Sequence, residues 1–300
     1  MTDVITTTNL EKQYSNTLAV DNLNLAVEEG SVFGFLGPNG SGKSTTIGML
    51  MGLIQPTRGE ATVAGINPES DPVSVRSQTG VLPEGFTPYP TLTGRDHLKH
   101  VAELRGATVD ADDALARVGL TEAKDRQASG YSKGMTQRLG LATALIGNPA
   151  VLILDEPFAG LDPDGSQIVR EVVEQERERG TTILFSSHIL GEVQVLCDHI
   201  GILSEGQLLT RGEPGDLQRE AGLRSKIHVS IDGGQQKVAE AASNISFAEV
   251  VSTSDGEATL TYDSDNSHLD VVRALEANGG EVTDAVVDEP TVEDIYRAFT

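Results

Sequence analysis

Gly37-Pro-Asn-Gly-Ser-Gly-Lys-Ser44 has the spacing G-x-x-x-x-G-K-[ST], and these residue types at these positions suit one chemistry, the cradling of a nucleotide's phosphates. Gly37, Gly40 and Gly42 allow the backbone through Pro38, Asn39 and Ser41 to turn its N–H groups toward the β- and γ-phosphates. Lys43 adds a point charge there, the Ser44 hydroxyl would ligand Mg²⁺, and Thr45 follows on the helix whose N-terminus faces the phosphates. A second pair, Asp155 and Glu156, follows the apolar run Val151-Leu-Ile-Leu154 and so emerges at the carboxyl end of a buried strand, where α/β sheets present ligand-binding groups. Asp155 would hold the metal through its hydration shell, and Glu156 would orient or deprotonate the water that attacks the γ-phosphate. Taken alone, Asp155-Glu-Pro157 reads more simply as a turn that ends a strand.

The elements that must position these groups follow from periodicity. Short strand patterns at Ile5–Asn9, Leu23–Val27, Ser31–Leu36 and Gly59–Ala64 surround a helix over Ser44–Leu53, which predicts an α/β core with an antiparallel edge. Helical spacing then dominates residues 87–145. Strands resume at Ala150–Leu154 and Thr181–Phe185, joined by an amphipathic crossover helix over Ser166–Arg179, and Ile200–Arg211 reads as a hairpin turning at Glu205-Gly206. After about Glu220 a new set begins with strand Lys226–Ile231, helix Gln235–Ala242 and strands Ala248–Ser252 and Glu257–Tyr262. Helix His268–Ala277, strand Val282–Val287 and helix Val292–Phe299 complete it. This is the ferredoxin-like order. Two domains are therefore expected, 1–220 with a helical subdomain at 87–145, and 221–300.

Composition excludes some functions. Across 300 residues, 22 Lys plus Arg face 45 Asp plus Glu, a formal charge of −23, with no basic stripe, so no nucleic-acid partner is expected. The acids are spread along the chain and only seven bases are Lys, which we read as the surface of a halophile's protein, hydrated through carboxylates in a high-salt cytoplasm. The lone Cys197 fits a reducing compartment as an inert packing residue. The first residues lack a secretory signal's basic and apolar regions, and the apolar runs are too short to cross a bilayer, so a cytoplasmic protein whose membrane role comes through a partner is expected.

Three further motifs stand in order around the acidic pair: Tyr131-Ser-Lys-Gly-Met-Thr-Gln-Arg138, Ala159-Gly-Leu-Asp162 and Ser186-Ser-His188. Together with the glycine loop they resemble the ATP-binding subunit of an ABC transporter over about residues 4–220. The resemblance implies a P-loop ATPase fold with a helical subdomain, ATP and Mg²⁺ as cofactors, and hydrolysis of ATP to ADP and phosphate coupled to transport. Tyr14 lies where the family stacks an aromatic on adenine, although a lone Tyr before a polar turn is also an ordinary surface residue. The family's L-S-G-G-Q signature matches Tyr131 to Met135, keeping Ser132 and Gly134 and departing at three positions. In the family this motif covers ATP bound to the opposite subunit, which implies a head-to-tail dimer, read as a homodimer, with Asp162 in the loop that joins the two sites. His188 matches the residue that hydrogen-bonds the γ-phosphate. Glu84 stands at the family's metal-contacting glutamine; a carboxylate can ligand Mg²⁺, and Glu84 is equally well read as a solvated loop acid.

The altered signature, Glu84 and an appended domain ending in Asp288-Glu-Pro-Thr-Val-Glu-Asp-Ile-Tyr296 resemble the ATPases of ABC-2-type exporters, such as drug-resistance, sodium-extrusion and copper-maturation systems. There the ATPase pairs with a separate integral membrane permease, implying a peripheral position on the membrane's inner face. The apolar, proline-rich loop Phe86–Leu92 would dock that partner, and the C-terminal domain would serve dimerisation or regulation. The alternative is a soluble ATP-binding regulatory protein of the same family not coupled to transport.

Overall fold

A computed structural model describes residues 2–187, 190–232, 239–242, 245–254, 256–263 and 267–300. The chain divides into two compact units, Met1–Arg211 and Gly212–Thr300.

The first unit is built on a six-stranded sheet. Its central strand β4 (Val32–Leu36) runs parallel to β8 (Thr182–Ser187) on one side and β9 (His199–Ser204) on the other; β7 (Val151–Asp155) then pairs β8, and β6 (Thr79–Leu82) pairs β7, also in parallel. β10 (Gln207–Gly212) closes the other edge beside β9. Every residue of β4, β7 and β8 is buried, which explains why these segments are continuous apolar runs instead of alternating ones. Helix α1 (Lys43–Leu50) packs Ile47, Met49 and Leu50 into the core that holds Phe35, Val151, Ile153 and Leu184.

The antiparallel strands do not extend this sheet, as an edge would; they form a separate four-stranded one. The twelve-residue β1 (Asp3–Tyr14) pairs β3 (Ala26–Glu28) and β2 (Thr17–Leu23) along successive stretches and β5 (Arg58–Val63) as well. With its pairing capacity taken up among these strands, β1 joins the central sheet nowhere. Helix α2 (Pro72–Gln78) and strand β6 were not legible in advance, because α2 buries only Val75 and four residues are too few for a period to show.

The helical segment contains α3 (Gly94–Leu104), α4 (Ala111–Arg117) and α5 (Lys133–Ala144), each started by a side-chain cap: Thr93, Asp110 and Ser132 accept from backbone N–H groups of the first turn. One ion-pair cluster ties it to the core. Arg117 at the end of α4 donates to the buried carboxylate of Glu176 at 2.7 Å, on α6 (Pro163–Glu178), and Arg179 reaches the same oxygen at 3.0 Å. Helix α7 (Leu190–Leu196) completes the unit.

The second unit begins with α8 (Pro214–Glu220), whose Gln218 donates to the carbonyl of Pro290. Its sheet has the order β12 (Ala248–Ser254), β13 (Glu257–Tyr262), β11 (Ser225–Asp232), β14 (Glu281–Asp288), antiparallel throughout. Ile227, Val229, Leu260 and Tyr262 share its core with Val271 and Leu275 of α9 (His268–Ala277). Ser267–Asp270 and Thr291–Asp294 form reciprocal capping boxes on α9 and on α10 (Val292–Phe299). The helix expected at Gln235–Ala242 lies partly outside the described residues, of which 239–242 are helical. No helix among the described residues is long and apolar enough to cross a membrane.

Candidate functional site

The glycine loop leaves the carboxyl end of β4 and runs directly into α1, so its chain direction is fixed by a fully buried strand. Two glycines are sterically required. A Cβ on Gly37 would lie 2.4 Å from the Leu203 carbonyl and from Ser41 Oγ; Gly42, at φ +104°, would put one 2.6 Å from the Ala19 carbonyl. Ser41 Oγ is buried and has no hydrogen-bond partner among the described residues. No acidic residue occupies the first turn of α1, which leaves its N-terminal N–H groups and positive dipole end for an anion.

Lys43 is buried, and its ammonium donates to the carbonyls of Gly37 at 2.7 Å and Pro38 at 3.2 Å while standing 3.9 Å from Glu156 Oε1. It is thus held over the loop by groups a phosphate would displace. Asp155 and Glu156 are buried at the end of β7. Ser186 on β8 ties them together: its hydroxyl donates to Asp155 Oδ1 at 2.5 Å and accepts from the Glu156 N–H at 3.1 Å. Glu156 sits at φ +52°, a left-handed conformation uncommon outside glycine that turns the chain out of the strand.

A pocket of about 350 Å³ is lined by Tyr14, Ala19, Asn39, Gly40, Gly42, Lys43, Ser44, Thr45, Glu84, Asp155 and Glu156. The structure therefore gathers the adenine-stacking candidate, the phosphate loop, both acids and Glu84 around one space. Tyr14 is 44 % exposed there, with the Lys12 ammonium 5.0 Å from its ring centroid. Ser44 and Asp155, both in its lining, supply hard oxygen donors, the donor type Mg²⁺ takes. A nucleotide with its metal fits the residues present.

Other expected residues lie elsewhere. Ser132, Gly134 and Asp162 do not line this pocket. Ser132 caps α5, accepting from Met135 N–H, and Asp162 caps α6, accepting from Gly165 N–H at 2.8 Å. Gly134 packs close to Leu161, so the two motifs meet each other. His188 lies outside the described residues. Sequence reasoning did not single out Ala19, which only the fold brings to the loop, nor Gln137 and Ser186. Those two stand inside quoted motifs, and only hydrogen bonds across the fold reveal them.

Beside Glu84, the apolar loop covers a histidine. Phe86 meets the ring of His97 on α3 edge-on and Tyr89 meets it tilted, each with ring centroids 5.8 Å apart, and Tyr89 also meets His100 edge-on at 5.3 Å. His97 is 3 % exposed, and neither ring nitrogen finds a hydrogen-bond partner among the described residues. Burial, and then His100, hold its pKa below the ordinary value of 6.5. The unfolded chain therefore takes up a proton that the folded one resists, and stability must fall as pH drops below about 6.5. Urea unfolding of His97→Leu at pH 8 and pH 5.5 should show a smaller loss between the two than wild type; an unchanged difference would assign the acid sensitivity elsewhere.

A parallel sheet that presents a glycine-loop lysine and an acidic pair at its carboxyl end, with a helical segment and an antiparallel sheet attached, defines an ATP-binding cassette. The chain belongs to the ABC transporter family. That family's model matches residues 20–159. The bacitracin transport ATP-binding protein BcrA of Enterococcus faecalis is 35 % identical over 98 % of this chain and 95 % of its own length. The linearmycin resistance ATP-binding protein LnrL of Bacillus subtilis is 31 % identical over 97 % and 96 %. The daunorubicin/doxorubicin resistance ATP-binding protein DrrA of Streptomyces peucetius is 38 % identical over 76 % and 71 %. Among solved structures, an ATP-binding subunit of an ABC transporter superposes with a TM-score of 0.68 at 30 % identity, covering 73 % of this chain and 94 % of that one. The dimeric cassette MJ0796 bound to ADP and Pi gives 0.65 at 24 %, covering 70 % and 98 %, a likeness of fold. The protein is an ATP-hydrolysing subunit that energises an ABC-type exporter.

Proposed function

We propose that this chain drives an ABC-2-type exporter whose permease is a separate membrane protein, and that it works as a homodimer closing around two ATP molecules. One observation carries the reading: the pocket in one chain holds Lys43, Ser44, Asp155 and Glu156 but no residue of the 131–135 signature, so it is half a site. A second copy would bring Ser132, Gly134 and the Asp162 loop to it. The N-terminus of α5, capped through Ser132 and free of acid in its first turn, suits a γ-phosphate.

In this reading the glycine loop and Lys43 bind the β- and γ-phosphates, and Tyr14 stacks on adenine. Ser44, Asp155 and Glu84 hold Mg²⁺, which supplies positive charge against the triphosphate when bound. Glu156 orients and deprotonates the attacking water, and His188 contributes the γ-phosphate contact expected from its motif. The loop from Phe86 to Leu92 docks the permease, keeping the ATPase on the inner face of the membrane. The relatives named for bacitracin, linearmycin and daunorubicin support a cargo of the antibiotic class. We further read residues 1–220 as the ATP-binding domain and 221–300 as a ferredoxin-like accessory module, supported by the strand order of the module's sheet, although the compact units divide after Arg211 and α8 belongs to the second. The charge of −23 supports an origin in a high-salt cytoplasm.

Complementation tests the composite site. Ser132→Arg and Lys43→Ala homodimers should each be inactive, and random 1:1 mixing should restore about a quarter of wild-type turnover, because half the dimers then contain one intact site of two. Verified mixed dimers without turnover would mean that each chain completes its own site.

A further inference from the structure

The hydrolytic residue is held from an unexpected direction. Gln137 lies in the second turn of α5, the helix that begins at the signature residue Ser132. It is 8 % exposed, and its side-chain amide donates to the Glu156 carbonyl at 3.0 Å and to the Pro157 carbonyl at 3.3 Å. The Glu156 carbonyl also accepts from Ala159 N–H at 3.1 Å, closing a turn with Pro157 at its second position. That turn leads from the end of β7 into Ala159–Asp162. On its other side the Glu156 N–H is taken by Ser186, through both the carbonyl and the hydroxyl. The residue with the left-handed backbone is therefore gripped at its N–H by β8 and at its carbonyl by α5.

We propose that Gln137 is a positioning residue for hydrolysis, fixing the Glu156–Pro157 turn so that the Glu156 carboxylate faces the phosphate pocket. Three features support this. A glutamate at φ +52° lies in the sparsely populated left-handed region, disfavoured for a residue with a Cβ, and persists where its surroundings hold it there. Pro157 contributes no N–H, so carbonyl contacts are the remaining means of holding that peptide pair. And a buried amide commits both of its N–H bonds to carbonyls of this one turn. The link also joins the start of the signature helix to its own chain's water-activating group. A shift of α5 when the signature engages the facing ATP would thus be felt at Glu156 through one side chain. The inference rests on the reading of Glu156 as the group that activates water.

Gln137→Met keeps the length and removes the donors. It should lower kcat by roughly 10- to 100-fold, the scale of a displacement near 1 Å at a reacting group. KM and the ATP Kd should stay at wild-type values. In a Glu156→Gln background the same change should leave the residual rate where it was, because nothing remains to be positioned. Gln137→Glu provides a second reading should the Met variant fold poorly. As a carboxylate it cannot donate, and as a carboxylic acid it donates once, so its rate relative to wild type should rise on acidification. Unchanged kcat in Gln137→Met would overturn the proposal. So would a parallel fall in ATP affinity and in the residual rate of the Glu156→Gln background, which would make Gln137 a packing residue. Full turnover by Glu156→Gln alone would overturn the underlying reading of Glu156, a result separable from either of these.

Discussion

Glu156→Gln is expected to reduce ATP turnover by roughly 10²- to 10⁴-fold, the range for losing a general base, while ATP still binds and an ATP-bound dimer accumulates. The substitution keeps the shape of the side chain and the backbone contacts that hold it, since Gln137 and Ser186 grip main-chain atoms. What it removes is the negative charge that would take the water's proton. The same charge stands 3.9 Å from the Lys43 ammonium, so its loss frees Lys43 for phosphate and does not weaken binding. Turnover by steady-state assay, ATP Kd by fluorescent-nucleotide displacement and mass by light scattering separate the possibilities. If binding and turnover fell together, Glu156 would be acting as a structural counter-ion of Lys43. A wild-type rate in the variant would remove Glu156 from the reaction altogether.

Gly42→Ala should abolish ATP binding at concentrations that saturate wild type, a weakening of at least about 100-fold, or about 3 kcal/mol. Two independent costs meet at this residue. Its φ of +104° lies outside the conformations open to residues with a Cβ, and the added carbon would approach the Ala19 carbonyl to 2.6 Å, a contact with backbone that no rotamer change relieves. The loop must move, and its N–H groups move with it off the phosphate positions. Thermal unfolding should show a smaller change than binding does, because the loop lies beyond the carboxyl end of β4 and the apolar core around Phe35 and Val151 is untouched. Gly40→Ala is the internal comparison: it shares a positive φ of +85° but its Cβ would meet nothing within 4 Å, so it should bind ATP better than Gly42→Ala. Equal binding by both variants would show that backbone conformation, not the Ala19 contact, limits the loop.

The glycine loop and the acidic pair that the fold gathers around one pocket were legible in the sequence because their signals are local. A glycine loop between a buried strand and a helix needs only neighbouring residues to form, so Gly37 to Thr45 carried its meaning in its own spacing. Asp155 and Glu156 were legible for the same reason, as the first polar residues after a run of four apolar ones. The helices expected at His268–Ala277 and Val292–Phe299 have these bounds in the structure, where capping boxes at Ser267 and Thr291 start them.

What the sequence left undecided depends on pairings between distant segments. Nothing local says that Asp3–Tyr14 spends its edges on Thr17–Leu23, Ala26–Glu28 and Arg58–Val63 and so founds a separate sheet; hydrogen-bond capacity is used up pairwise, and only the folded chain shows by whom. Ser186 became a clasp on the acidic pair because β7 and β8 lie side by side in the register Asp155 to Ser186, thirty-one residues apart in the chain. Gln137 reached the Glu156 carbonyl because α5 packs beside β6, the neighbour of β7, with Gly140 against Leu82 and Ala144 against Gly80. The sequence alone determined which groups could bind a nucleotide and activate a water. The tertiary structure decided how those groups are held, because holding them takes directional bonds from strands and helices that meet only once the chain is folded.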